Sequence, residues 1–262
     1  MPKNSPQPLR VDLRASVGRP MPEAPGPRLP CGVVQIAPEI RLCQVDIQVL
    51  ARDWWGDFLL ADLRRPARGL SPAAPIDAWL APVEQKVLER FKSFKRQVEW
   101  LAGRLAVKTL AGACLDPDLP PTAVTVSHEP DGAPVLPAFP RRCISITHGG
   151  RFAVAALSLD TAQAIGIDIE RMPLPAGEAF LRLAFSQRER AVLDPVDQLA
   201  LARAWTLKEA YLKYIRRGFH RNLQGVEFLD GKLLDGGREA PVRWTFGAPD
   251  PDHLLAVLFG PR

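Results

Sequence analysis

Two segments of this chain repeat one another's side-chain spacing, and that repetition narrows the folds open to it. EWLAGRLAVK (99–108) and AWTLKEAYLK (204–213) place a tryptophan, a charged residue and a lysine at matching offsets: Trp100, Arg104 and Lys108, then Trp205, Glu209 and Lys213. Residues four apart share a helix face, so each segment predicts a helix with an aromatic anchor and two polar groups in line. Two such helices favour two α/β halves of similar build, with a site at their interface.

The rest of the chain supplies the material for those halves. Residues 1–40 hold nine of the 27 prolines, a density that opposes helix and ladder pairing and predicts an extended N-terminal arm over residues 1–39. Periodic apolar spacing begins at Ile40, giving an N-terminal half over 40–160 and a C-terminal half over 161–262. A long helix is expected from Pro82 to Ala111. Val87, Phe91, Phe94, Val98, Leu101 and Leu105 make its apolar stripe, and Gly112 stands at its C-cap position. Short β-type runs follow at Ala123–Ser127, Cys143–Thr147, Phe152–Leu157 and Ile165–Glu170. Ser186 and Glu189 have capping-box spacing, a further helix is expected over Gln198–Tyr214 ending before Arg217-Gly218, and the tail from Gly225 to Leu258 reads as strands and turns.

With 47% hydrophobic and 24% charged residues and no long apolar run, the chain reads as globular, without a membrane span. The opening MPKNSPQPLR lacks the apolar core of a secretory signal, which points to the cytoplasm. Cys31, Cys43, Cys114 and Cys143 are widely spaced and, with four histidines, make a poor zinc set; reduced thiols are expected. The net charge of +5 favours polyanionic ligands and acidic partners. Nothing in the charge pattern suggests nucleic acid.

Three runs carry chemistry. In Ile165-Gly-Ile-Asp168-Ile-Glu170 the alternation puts the isoleucines on one face and Gly166, Asp168 and Glu170 on the other. Asp168 and Glu170 then project side by side, about 6.5 Å apart at Cα, with Gly166 leaving room beside them. Paired carboxylates need a cation to stay ionised together, and Mg²⁺ is the hard ion such a set would hold with substrate phosphates. A strand with a solvated acidic face fits the pair equally. On the second run Trp205, Glu209 and Lys213 share a stripe, either as an inward-facing functional face or with Glu209 and Lys213 as an ordinary surface ion pair. The third, ISITHGG (144–150), offers Thr147, His148 and freely oriented backbone N–H groups to phosphate oxygens.

In chain order ISITHGG, GIDIE and WTLKEAYLK, with FSQRERAVL between the last two and KRQVEWLAGRLAVK ahead of them all, the motif set resembles the Sfp-type 4′-phosphopantetheinyl transferases over about Lys86 to Lys213. The resemblance implies an α+β fold of two pseudosymmetric halves, a monomer, and transfer of the 4′-phosphopantetheine arm of coenzyme A to a serine of an apo acyl or peptidyl carrier protein, releasing 3′,5′-ADP. Such carriers serve fatty-acid, polyketide and nonribosomal peptide biosynthesis. By motif match, Asp168, Glu170 and Glu209 would hold Mg²⁺, with Mn²⁺ an alternative. Glu209 would also act as base and Lys213 as the group offsetting leaving-phosphate charge. Thr147, His148, Asp168, Lys208 and Lys213 would contact coenzyme A, as would Arg96 and Arg104, two helical turns apart and suited to the 3′-phosphate; Lys86 and Lys108 are weaker candidates. Gly132-Ala133-Pro134 stands where the family often reads Gly-Lys-Pro. The alternatives are another Mg²⁺-dependent nucleotide or diphosphate transferase or hydrolase, and a non-catalytic carrier-binding adaptor.

Overall fold

The computed structural model describes residues 10–11, 31–56, 76–216 and 222–262. Most of the proline-rich stretch, and Arg217-Gly218, lie outside the described residues. The described chain divides into two compact units: an N-terminal one up to residue 161, and a C-terminal one from 162 onward that also takes in Arg10–Val11 and Pro130–Ala133.

The strands are β1 (Arg10–Val11), β2 (Cys31–Ala37), β3 (Ile40–Asp46), β4 (Ser127–His128), β5 (Pro134–Val135), β6 (Cys143–Gly149), β7 (Phe152–Ser158), β8 (Gln163–Arg171), β9 (Val226–Leu229), β10 (Lys232–Asp235), β11 (Arg238–Glu239), β12 (Arg243–Gly247) and β13 (His253–Pro261). The α-helices are α1 (Ile47–Trp55), α2 (Pro82–Glu89), α3 (Phe94–Cys114), α4 (Glu178–Ala184), α5 (Gln187–Val192) and α6 (Gln198–Tyr214).

The N-terminal unit is an antiparallel sheet in the order β2-β3-β7-β6 with α3 laid across it. Val98, Leu101 and Leu105 of α3 share one core with Cys43, Val45, Ala153 and Ala155 of the sheet. Two expectations are corrected here. Cys31–Ala37, assigned to the arm ahead of Ile40, pairs along β3 as an edge strand. Proline density predicts poor ladders only where the prolines stand, and Cys31–Ala37 contains none. The helix expected over Pro82–Ala111 is two helices. Ser93 turns extended and its hydroxyl caps α3 by accepting from the Arg96 backbone N–H, so the chain restarts there. Val87, assigned to the buried stripe, is exposed, and Leu88 is buried in its place. Gly112 does not end the helix, which runs on to Cys114.

The C-terminal unit is built on the sheet β1-β12-β13-β8, antiparallel except for the parallel β1–β12 pair at its edge. A smaller sheet, β11-β10-β9, stands beside it, and α6 packs on β8 and β13. Strand β1 belongs to the stretch assigned to the unpaired arm, a second correction to its boundary. Helix α6 has the expected bounds, capped by Asp197. Helix α5 starts at Ser186 with both halves of the capping box formed. Each unit thus pairs a four-stranded sheet with one long helix, the mixed α+β build expected.

The contact of α6 with β8 turns on Gly166. A Cβ at this position would overlap the Ala210 carbonyl oxygen and stand 2.6 Å from the Tyr214 backbone nitrogen. The space beside the two carboxylates is therefore filled by the helix backbone, which corrects the expectation of an open neighbour. Gly166→Ala should destabilise the chain by about 1–3 kcal/mol or more by overpacking. Chemical denaturation of the parent and variant chains is the check, and an unchanged midpoint would show that α6 does not press on β8.

Candidate active site

The close approach at Gly166 brings the last two turns of α6 over the face of β8 that carries Asp168 and Glu170. Asp168 is buried, and its Oδ1 accepts a hydrogen bond from Lys213 Nζ at 2.7 Å. Glu170, one pleat further and half-buried, accepts from the Trp205 indole N–H at 2.8 Å. Trp205 itself packs edge-on against Phe180, 5.2 Å between ring centroids. The 205-209-213 stripe therefore faces inward, and the surface-ion-pair reading of Glu209 with Lys213 gives way: Lys213 pairs with Asp168 on the strand.

Glu209 lies between these contacts, buried, and its Oε1 has no hydrogen-bond partner. Burial first, then the negative charges of Asp168 and, more weakly, Glu170, push its carboxyl up to about 7, against the opposing pull of Lys213 and Lys208. Glu170 is also raised, by burial and by Asp168. The Asp168 charge thus opposes the ionisation of both glutamates.

This is the donor chemistry a hard divalent cation takes: carboxylate oxygens, one of them orphaned in a buried place, with unrelieved like charge. Among the described residues the three side chains do not converge as a ready-made metal cluster. Lys213 and Trp205 each engage one of them, so the cationic relief in this state comes from the Lys213 ammonium. The residues fit the ion by type and charge.

Lys208, expected at the ligand, is in the core: its side chain is fully buried, donating to Glu189 Oε2 at 2.7 Å and to the Ala184 carbonyl. Glu189 in turn completes the α5 capping box and accepts from the Phe228 N–H. Lys208 ties α5, α6 and β9 together, which corrects its assignment as a ligand contact. Lys108 does the same in the N-terminal unit, fully buried against Glu84 at 2.7 Å, whose carboxylate closes the first turn of α2. It too is structural. Lys86 is exposed on α2.

The N-terminal unit brings two other candidates together. Arg96 Nη1 is 3.5 Å from His148 Nε2. Both surround Glu99, a buried carboxylate 3.6 Å from Arg96, 3.3 Å from Lys95 and 3.9 Å from His148 Nδ1. Glu99 escaped the sequence reading, although its i−4 and i−3 spacing to Lys95 and Arg96 was visible. Thr147 is buried on β6. Arg104 is buried away from those contacts, stacked 4.7 Å from the Trp100 ring, its Nε without a hydrogen-bond partner. Burial lowers its guanidinium to about 10, still cationic at neutral pH. Among the described residues Arg96 and Arg104 share no partner.

Residues 164–258 match the model of the 4′-phosphopantetheinyl transferase superfamily, a stretch that contains Asp168, Glu170, Glu209 and Lys213. The chain is 28% identical over 195 residues to the 4′-phosphopantetheinyl transferase of Bacillus subtilis, covering 69% of this chain and 84% of that protein. It is 26% identical over 219 residues to a phosphopantetheinyl transferase of Thraustochytrium sp., covering 70% and 74%. With the human L-aminoadipate-semialdehyde dehydrogenase-phosphopantetheinyl transferase it shares 27% over 208 residues, covering 68% and 66%. The resemblance seen in the motifs is borne out. Among the described residues no helix is long and apolar enough to cross a membrane.

The Glu209 shift has a sign that can be measured. The folded state holds its proton more tightly than the unfolded chain, whose carboxyl keeps the ordinary value of 4.5. Below that pH the group is neutral in both states and contributes nothing. As pH rises toward about 7 the folded state is penalised, and the penalty is complete above it, at roughly 3 kcal/mol. In EDTA, Glu209→Gln should therefore raise the melting temperature at pH 8 and leave it nearly unchanged at pH 4. A melting temperature equally altered at both values would mean that the glutamate carries no buried charge.

Proposed function

We propose that this chain, which carries the 4′-phosphopantetheinyl transferase superfamily pattern over residues 164–258, transfers the 4′-phosphopantetheine of coenzyme A to a serine of an apo carrier protein, as a holo-[acyl-carrier-protein] synthase type of enzyme. The observation that carries the reading is the buried, partnerless Glu209 oxygen beside Asp168 and Glu170, with Lys213 in reach.

In the transfer, a bond forms between the serine oxygen and the phosphorus bearing the pantetheine arm. The bond from that phosphorus to the bridging oxygen breaks, and 3′,5′-ADP leaves. The serine proton must be taken up, and Glu209, with a carboxyl near 7, is matched to accept it at neutral pH. The Lys213 ammonium, held by Asp168, would offset charge gathering on the leaving phosphate. Asp168, Glu170 and Glu209 would hold Mg²⁺ or Mn²⁺, which when bound would neutralise the diphosphate and the carboxylates together. Trp205 acts through Glu170, fixing its orientation with the indole N–H. Arg96 and His148, gathered around Glu99, are suited to phosphate oxygens through charge-assisted hydrogen bonds. The net charge of +5 suits an acidic carrier.

The test incubates the chain with coenzyme A, Mg²⁺ and a panel of apo acyl and peptidyl carriers, reading intact mass. The expected result is the phosphopantetheine increment on one or more carriers, lost with the carrier serine. Glu209→Gln should lower turnover by about 10²–10⁴-fold. Coenzyme A consumed with every carrier mass unchanged would instead indicate hydrolysis. Full turnover in Glu209→Gln would remove the glutamate from the chemistry.

A further inference from the structure

The proposed transfer leaves one buried carboxylate of the N-terminal unit without a role. The Glu99 side chain, on α3, is 4% exposed, yet its three neighbours face water: Lys95 at 52%, Arg96 at 63% and His148 at 40%. Lys95 and Arg96 stand one turn back on the same helix. The carboxylate divides between them, with Oε1 3.3 Å from Lys95 Nζ and Oε2 3.6 Å from Arg96 Nη1.

His148 arrives from β6. Alternation along that strand puts Ile144, Ile146 and His148 on one face, and both isoleucines belong to the core that α3 covers. The helix lies close there: a Cβ at Gly103, one turn beyond Glu99, would stand 3.1 Å from Ile146 Cγ2. Glu99 and His148 are thus the next step of the row that Gly103 and Ile146 begin. The imidazole stands between two groups, with Nδ1 3.9 Å from Glu99 Oε1 and Nε2 3.5 Å from Arg96 Nη1.

Such a carboxylate does little for stability. Ion pairs with an exposed cationic member contribute little, and burying the acid costs desolvation. Its effect is geometric. Lys95 and Arg96 carry like charge on long, flexible stems, and a shared acid behind them draws both heads and the imidazole toward one point. Side chains ordered before a ligand arrives no longer oppose its binding through lost rotamer freedom.

We propose that Glu99 is a positioning residue for phosphate recognition. It holds Arg96 and His148, with Lys95 beside them, in one arrangement whose water-facing side takes a phosphate group of coenzyme A. This rests on the reading of Arg96 and His148 as phosphate contacts. Glu99 acts through those side chains and, buried behind them, touches no ligand. A negative charge beside an anion site weakens binding by simple Coulomb repulsion, so neutralising Glu99 would tighten coenzyme A if charge alone mattered. Loss of positioning has the opposite sign.

The experiment titrates coenzyme A calorimetrically, with Mg²⁺, into the full parent chain, Glu99→Gln, Arg96→Ala and the double variant. Glu99→Gln should weaken binding by about tenfold, the loss expected of one charge-assisted contact. In the Arg96→Ala background the same substitution should change the Kd by under about twofold, because the group through which Glu99 acts is gone. In carrier transfer, Glu99→Gln should raise the KM for coenzyme A by more than it lowers kcat. Should Glu99→Gln fold poorly, Glu99→Asp, which keeps the charge and withdraws it by one methylene, should show the same loss and the same dependence on Arg96. Unchanged or tighter binding in Glu99→Gln, or an equal loss with and without Arg96, would overturn the proposal. A parent chain that does not bind coenzyme A would remove it together with the reading beneath it. Weaker binding in Glu99→Gln with no carrier transfer by the parent would support the positioning and count against the proposed reaction.

Discussion

The C-terminal unit depends on one close contact, the seating of α6 on β8 at a residue with no side chain. Gly166 lets the Ala210 carbonyl and the Tyr214 backbone press directly on the strand. Every other feature of the site follows from that approach. It buries Asp168 beneath the helix within reach of Lys213, brings Trp205 onto Glu170, and leaves Glu209 in the gap with an oxygen that nothing satisfies. A side chain at 166 would hold the helix off and separate the groups whose interaction matters.

The cost of that arrangement is electrostatic. Burial first, and then the neighbouring carboxylate charge, disfavours ionisation here, which is why Glu209 and Glu170 are raised. A structural protein gains nothing from such a cluster, and Lys213 and, more weakly, Lys208 offset only part of it. Strained protonation of this kind is characteristic of sites that await a cation or move a proton, and the proposed transfer calls for both. The surrounding scaffold is firm in compensation. The buried Lys208–Glu189 pair, which also satisfies a helix cap and the Phe228 N–H, locks α6 to its neighbours, and losing one partner of such a pair costs about 3–5 kcal/mol.

Much of this was legible in the sequence because the signals were local. Alternation marked β8 and its face. The four-residue stripe gave α6 its place, and Ser186 with Glu189 announced α5. The parts that escaped are those decided by partners distant in sequence. Nothing local distinguishes Lys208, a core tie, from Lys213, a site group five residues on. Gly166 as a contact with helix backbone, β2 as an edge strand inside a proline-rich stretch, and Glu99 as the hub of Lys95, Arg96 and His148 all require the fold to be seen. The echo between the two long helices was real in spacing, yet its members differ in role: Lys108 is buried against Glu84, while Lys213 reaches Asp168 in the site.

The central claim is that Asp168, Glu170 and Glu209 form one cation-seeking cluster. Thermal unfolding at pH 8 across a range of Mg²⁺ concentrations, for the parent chain and for Asp168→Asn, tests it most directly. The account predicts a melting temperature that climbs with Mg²⁺ in the parent, as ligand binding to the folded state requires, and stays flat in the variant. A parent chain indifferent to Mg²⁺, or a variant that responds as strongly, would contradict it.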